Sequence, residues 1–402
     1  MYCDPRFSRV REVFEGQFAD GEELGAAFAV YLDGELVVDL WAGVADRRTG
    51  RAWEADTPAF AYSCTKALTA AVALGVIDDV TSPVTRFWPE FATPATTVEH
   101  LLAHQAGLPV VEDPVPVEEF ADLPAIADRL ARQRPLWEPG TAHGYHALTY
   151  GFLVGEVVRR ITGTSIGDLV AAQIAGPHDL DLWVGASEEV ITRAARLTTT
   201  PPEGRAPATG GTAPAARGTA PAAGGTAPAV TGAAPAAAMP ADSPAALAAL
   251  DPGSLMNRAL GNPGMHLLKG GANHPVILRA GWPGAGVVTT AKGLAGFYRA
   301  LIGGELLPHD RLREAVRRRV DGQDRVLLMD SAFGLGFARP SSTFLAPPKA
   351  AEAFGHGGLG GSLGLGDPSR GLACAYVMNR LAGSVTGSLR AHRLISAVYD
   401  AL

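Results

Sequence analysis

Ser63 and Lys66 stand three residues apart in Tyr62-Ser63-Cys64-Thr65-Lys66-Ala67-Leu68, at what the sequence predicts to be a helix start. At that spacing two helical side chains share one face, so a hydroxyl and an amine are presented together. The pair suits acyl transfer, in which a serine attacks a carbonyl carbon while a base takes its proton. A lysine can be that base only if burial or a neighbouring cation drives it toward the neutral amine. Lysine is scarce in this chain, at positions 66, 269, 292 and 349, and only Lys66 has a serine three residues before it. Tyr145, in His143-Gly144-Tyr145-His146-Ala147-Leu148, precedes a second predicted helix. A phenol there could relay a proton, with packing as the competing role. The third candidate is Phe354-Gly355-His356-Gly357-Gly358-Leu359-Gly360-Gly361-Ser362-Leu363-Gly364, whose glycines allow a backbone to approach a ligand closely at a strand edge.

Three other patterns compete for the chemistry. Cys64 is beside Ser63 but one position off the face of Lys66, so it reads as packing. His100 and His104 could share a helix face as metal ligands, but Glu99 precedes the first histidine and no third ligand is evident, so both read as structural. No metal or cofactor is expected. Gly360-Gly361-Ser362-Leu363-Gly364 matches a nucleophile elbow, which needs strand, sharp turn and helix. Here β-like runs lie on both sides and too little chain follows, so Ser362 is set aside.

The elements that must position these residues come from both chain ends. Asp4-Pro5 with Phe7, Val10, Phe14 and Phe18 reads as a capped amphipathic helix. Ala26 to Leu32 and Glu35 to Trp41 flank Asp33-Gly34, a tight-hairpin signature. From Ser63 to about Arg196 the chain reads mainly helical, with short pieces at Val98 to His104 and Ile126 to Gln133, and a helix through Leu153, Val157 and Ile161 that stops at Gly163. Residues 199–250 hold a seven-residue repeat, Gly211-Thr212-Ala213-Pro214-Ala215-Ala216-Arg217 and its echoes, poor in large apolar residues. It reads as a mobile surface insertion without chemistry. Thr290 to Leu301 reads as helix, 332–338, 361–366 and 371–379 as β-like runs, and Leu389, Leu394 and Val398 as a final helix. The expected architecture is α+β, with an antiparallel sheet built from both chain ends and a helical part inserted. In numbers it is a single domain of residues 1–402, with 1–62 and 280–402 as the α/β part and 63–279 as the mainly helical part.

Composition narrows the partners. Of 402 residues, 47% are hydrophobic and 19% charged, enough for a sizeable core, and the net charge of −7 leaves no basic stripe for nucleic acid or anionic lipid. The expected partner is a small molecule. Three cysteines without metal spacing, no apolar leader and no long apolar run point to the cytoplasm. Oligomeric state is not encoded in any motif here.

Taken in order, the three chemical pieces resemble the serine β-lactamase and penicillin-binding-protein superfamily, and most of all its class C β-lactamase-like esterases, the family VIII carboxylesterases. Phe87-Trp88-Pro89-Glu90-Phe91, His100-Leu101-Leu102-Ala103-His104-Gln105-Ala106-Gly107-Leu108 and Tyr376-Val377-Met378-Asn379-Arg380 extend the likeness over nearly the whole chain except 199–250. The resemblance implies Ser63 as nucleophile, Lys66 and Tyr145 as the general-base pair, and an oxyanion hole from the N–H groups of Ser63 and Leu359. It also implies substrate contacts at His356, Gly357, Gly358 and His146. Tyr145-His146-Ala147 lacks the asparagine of the β-lactamase Tyr-x-Asn, and His356-Gly357-Gly358 replaces Lys-Thr-Gly with a partly charged, weaker anchor for a carboxylate. The segment from Lys66 to Trp88 is also shorter than the family pattern. The expected activity is hydrolysis of small esters. Acyl transfer to an alcohol or amine, or a peptide-cyclising thioesterase activity, is the alternative, ahead of a β-lactamase, a D-amino-acid peptidase or a non-catalytic sensor.

Overall fold

A computed structural model describes residues 1–199, 243–383, 385 and 388–402. The strands are β1 (Tyr2–Cys3), β2 (Gly25–Leu32), β3 (Glu35–Asp46), β4 (Arg51–Ala52), β5 (Ala59–Phe60), β6 (Leu182–Val184), β7 (Val287–Thr289), β8 (Val320–Gln323), β9 (Asp330–Phe333), β10 (Phe354–Gly357), β11 (Leu363–Asp367) and β12 (Leu372–Met378). The α-helices are α1 (Ser8–Ala19), α2 (Thr65–Val76), α3 (Val98–Leu102), α4 (Leu123–Arg132), α5 (Thr149–Thr162), α6 (Ile166–Val170), α7 (Glu188–Arg193), α8 (Pro244–Leu250), α9 (Leu255–Gly261), α10 (Pro275–Ala280), α11 (Ala291–Ile302), α12 (His309–Val316) and α13 (Leu389–Asp400).

The main sheet is antiparallel in the order β1-β3-β2-β12-β11-β10, with β4 beside β3. Its two halves come from opposite ends of the chain and meet where β2 pairs with β12, Phe28 opposite Tyr376 and Val30 opposite Cys374. Strand alternation decides what each face meets. Phe28 and Val30 pack with Phe14, Leu394 and Val398 of α1 and α13. Ala27, Ala29 and Ala375 face the other way, toward Leu294 and Phe297 of α11. The small residues on that face let α11 lie close to the strands.

Several boundaries differ from the sequence expectation, each for a local reason. Asp4 caps a 3-10 turn, Pro5–Phe7, and α1 begins only at Ser8. The run expected over 361–366 starts at Leu363, because Gly360 (φ 80°) and Gly361 (φ 131°) lie in the left-handed region. The run over 332–338 breaks after Phe333, where Gly336 at φ 80° turns the chain. The central stretch is not wholly helical, since β6 joins β5 and β7 in a second antiparallel sheet of order β5-β7-β6. The expected insertion at 199–250 is too long at its end. Ser243 accepts a hydrogen bond from Ala246 N–H, Pro244 follows at the first helical position, and α8 forms. The mobility expected for 200–242 lies outside the described residues. Among the described residues no helix is long and apolar enough to cross a membrane.

Candidate active site

Ser63 sits in a 3-10 turn, Tyr62–Cys64, that feeds directly into α2. Tyr62 is held at φ 46°, a left-handed conformation that costs a bulky residue and persists only where neighbours impose it. Here the pairing of β5 with β7 fixes the chain up to Phe60. Ala61 N–H then bonds Val287 O at 2.9 Å, and Thr65 Oγ1 bridges Tyr62 O at 2.5 Å and Val287 N–H at 2.9 Å. From Thr65 to Leu74 every residue of α2 is buried. The shortened segment after Lys66 is closed from outside the helix. Arg311 of α12 donates to Leu74 O in the last turn of α2 at 3.2 Å, and to Ile77 O and, at 2.9 Å, Asp78 O just beyond it.

Lys66 is fully buried. Its Nζ lies 3.1 Å from Ser63 Oγ, 2.7 Å from Ala147 O and 2.8 Å from Gly284 O. Among the described residues no carboxylate pairs with it, and burial holds its pKa well below the ordinary lysine value. A neutral amine has two N–H donors and one lone pair. The two carbonyls can only accept, so they take both hydrogens and leave the lone pair aimed at the Ser63 hydroxyl. Glycine makes this arrangement possible: a Cβ on Gly151 would meet Gly284 N at 1.9 Å, so the start of α5 can rest directly on the segment that supplies one acceptor.

Tyr145 precedes α5 in a loop tied from three sides. Its N–H donates to Asp324 Oδ1 at 3.0 Å, Gly144 N–H to His104 O at 3.1 Å, and His146 N–H to His104 Nδ1 at 3.1 Å. Asp324 also accepts from Val326 N–H, Leu327 N–H and Ser331 O–H at 2.8–2.9 Å, and Ser331 Oγ is 3.0 Å from His143 Nε2. The ring of Tyr145 stacks on Phe333, and Lys66 Nζ is 4.8 Å from its centroid. Among the described residues its hydroxyl meets no partner at full hydrogen-bond geometry, and burial pushes the phenol well above its ordinary pKa, with a weaker interaction with the Ser63 hydroxyl opposing.

Ser63, Tyr145 and Leu359 line one cavity of about 530 Å³, within the usual size range of small-molecule sites. Leu359 follows β10, the edge strand of the main sheet. Gly358 brings that edge to the serine, since a Cβ there would meet Ala61 O at 2.4 Å. Among the described residues neither Ser63 N–H nor Leu359 N–H donates to another backbone carbonyl.

His356, Gly357, Gly358 and His146, expected as substrate contacts, are not among the residues lining that cavity. His146 spends both nitrogens on backbone, Nδ1–H donating to Gly144 O at 2.6 Å and Nε2 accepting from Leu108 N–H at 3.0 Å. Burial lowers its pKa to about 4. His356 Nδ1–H donates to Gly357 O at 2.7 Å, and burial, then the nearby Lys66, lower its pKa to about 3. It is therefore neutral near pH 7 and offers a carboxylate no charge at all, where partial charge was expected.

The competing patterns resolve structurally. Cys64 is buried, its thiol pushed up to about 12 by burial, with Sγ 3.4 Å from His356 O. His100 closes a capping box with Thr97, and His104 serves the Tyr145 loop through Nδ1. Ser362 leads into a strand and not a helix, and is fully buried, so it is no elbow. Asp324, Ala147 O and Gly284 O are contributors that the sequence did not announce. The sole sequence signal for Asp324 was an acidic residue in Gly322-Gln323-Asp324-Arg325, indistinguishable from a surface turn.

Residues 10–399 match the Beta-lactamase family, and the chain belongs to it. It is similar to the esterase/beta-lactamase LipL of Mycobacterium tuberculosis, 32% identical over 94% of this chain and 82% of that one. Among solved structures it resembles a family VIII carboxylesterase, with 30% identity, a TM-score of 0.81 and coverage of 100% of this chain and 99% of that one. It also resembles a penicillin-binding protein homolog from Caulobacter crescentus, with 36% identity, a TM-score of 0.79 and the same coverage.

Proposed function

We propose that this protein is a serine hydrolase that cleaves carboxylic esters through an acyl-enzyme on Ser63. The observation that carries the reading is the buried Lys66 amine, whose Nζ lies 2.7 Å from Ala147 O, 2.8 Å from Gly284 O and 3.1 Å from Ser63 Oγ. The related esterase and carboxylesterase support the choice of ester over amide.

In the acylation step Lys66 takes the Ser63 proton as Oγ bonds to the substrate carbonyl carbon. The N–H groups of Ser63 and Leu359 hold the negative oxygen that results. Collapse breaks the bond to the alcohol oxygen. Tyr145 protonates that leaving oxygen and is reprotonated from the Lys66 ammonium, so the amine is neutral again when the alcohol departs. Water then attacks the ester on Ser63, giving up a proton through the same pair, and the acid leaves as Ser63 regains its hydrogen. The free cysteines suit a reducing, cytoplasmic setting.

The test is 4-nitrophenyl acetate turnover together with intact mass. Ser63→Ala should lose at least about 10³-fold in kcat/KM and show no mass increase of one acyl group. Full activity in Ser63→Ala, with loss in Ser362→Ala, would overturn the assignment. Rapid cleavage of nitrocefin without ester cleavage would overturn the substrate class.

A further inference from the structure

We infer that the site selects uncharged esters carrying an extended apolar chain and turns away esters that carry a carboxylate. This rests on the ester-hydrolase reading above and specifies its substrate.

Two observations converge. The first is the wall between the serine and solvent. Val110, Val115, Leu148 and Leu260 line the cavity that begins at Ser63 and Tyr145. It opens past Leu250, the last residue of α8, and Leu267, which line it while 72% and 60% exposed. Leucines that line a cavity and still face water leave apolar area uncovered at its mouth. A chain reaching from the ester carbonyl to the rim would remove that area from water along with its own, so each buried methylene would raise affinity by up to about fourfold.

The second observation is the state of the charges. Among the described residues the ionisable side chains lining the cavity are Tyr62, Tyr145, His266 and the pair Glu112 and Arg258. The Arg258 guanidinium is already bound to Glu112. At the inner end Lys66 has its hydrogens engaged and His356 is neutral and outside the lining. Among the described residues a substrate carboxylate would therefore find no lining arginine or lysine except Arg258, which Glu112 already pairs, and apolar contacts do not offset its lost hydration. The departures at His356 and His146 fit the same reading, because neither residue supplies a polar contact to the cavity.

The experiment compares two ester series, 4-nitrophenyl esters from acetate to octanoate and alkyl acetates from ethyl to octyl, with their ω-carboxylate counterparts of equal length. In at least one uncharged series kcat/KM should rise about tenfold or more from the shortest to the longest member. Each carboxylate counterpart should fall at least about 30-fold below its neutral partner. Leu250→Asp/Leu267→Asp should flatten the rise, and Leu250→Lys should narrow the carboxylate penalty by about fivefold or more. Rates that fall with length in both series, or carboxylates cleaved as well as neutral esters, would overturn the inference while short-ester acylation of Ser63, read by intact mass, keeps the hydrolase reading standing. If no ester of any length acylated Ser63, both would fail together.

Discussion

Around Ser63, side chains that ordinarily carry charge are buried and neutral, whereas at the mouth of the same cavity leucines that ordinarily hide are left in water. Lys66, His146 and His356 form the first region, each driven toward its uncharged form chiefly by burial. Leu250 and Leu267 mark the second. The contrast separates two tasks. Burial at the inner end turns a cation into a base, and it costs solvation to do so. Exposure at the mouth leaves apolar area for a substrate to cover. Among the described residues lining the cavity, the carboxylate and the guanidinium form one ion pair that solvent reaches, with Arg258 and Glu112 side chains 40% and 42% exposed.

The contrast can be broken most forcefully at Lys66. Lys66→Met keeps the volume and burial but removes the lone pair, and acylation should slow by about 10⁴-fold, measured by single-turnover release of nitrophenolate on a variant with unchanged circular dichroism. A loss under tenfold would mean that another group takes the proton. Acid should expose the same region next. His146 and His356 titrate at about 4 and about 3 in the folded chain against 6.5 when free. The unfolded chain therefore binds more protons between those values, so stability should fall by a few kcal/mol as pH drops from 6.5 toward 4 and should be unaffected by these two groups above 6.5. Urea unfolding across that range reads the slope, and a flat profile would show that the histidines are not held neutral.

Smaller effects sharpen the distinction. Tyr145→Phe should lower kcat by about 10²-fold with little change in melting temperature, because among the described residues the lost hydroxyl leaves behind no partner at full hydrogen-bond geometry. A large drop in stability would recast Tyr145 as a packing residue. At the mouth, Arg258→Gln should cost about 0–1 kcal/mol in urea unfolding, as expected for an ion pair open to solvent. A cost of several kcal/mol would mean that the pair is held away from solvent.

The two regions were also unequally legible in the sequence. Ser63 and Lys66 were readable because helix geometry converts a spacing of three into shared direction. The Asp33-Gly34 hairpin was readable because both residues must take positive φ, observed at 49° and 87°. What orients the amine was not readable, since Ala147 O and Gly284 O are backbone atoms that any residue type would supply. The surroundings of His146 and His356 were unreadable for a related reason: each places Nδ1 against a backbone carbonyl, which any residue type would supply. Asp324 lies 179 positions from the Tyr145 N–H it holds, beyond any local pattern. At the mouth, α8 was submerged in the composition of the repeat before it, and only its Ser243-Pro244 start distinguished it.

Because α2 is buried from Thr65 to Leu74 and held at its last turn by Arg311, it should open only with global unfolding. Its amides should be among the last to exchange with deuterium. The distance between nucleophile and base is then a property of the folded state as a whole and not of ligand binding. Sequence change at the exposed leucines can retune what enters while the proton path stays fixed, so altered specificity would arise here without a matching loss of turnover.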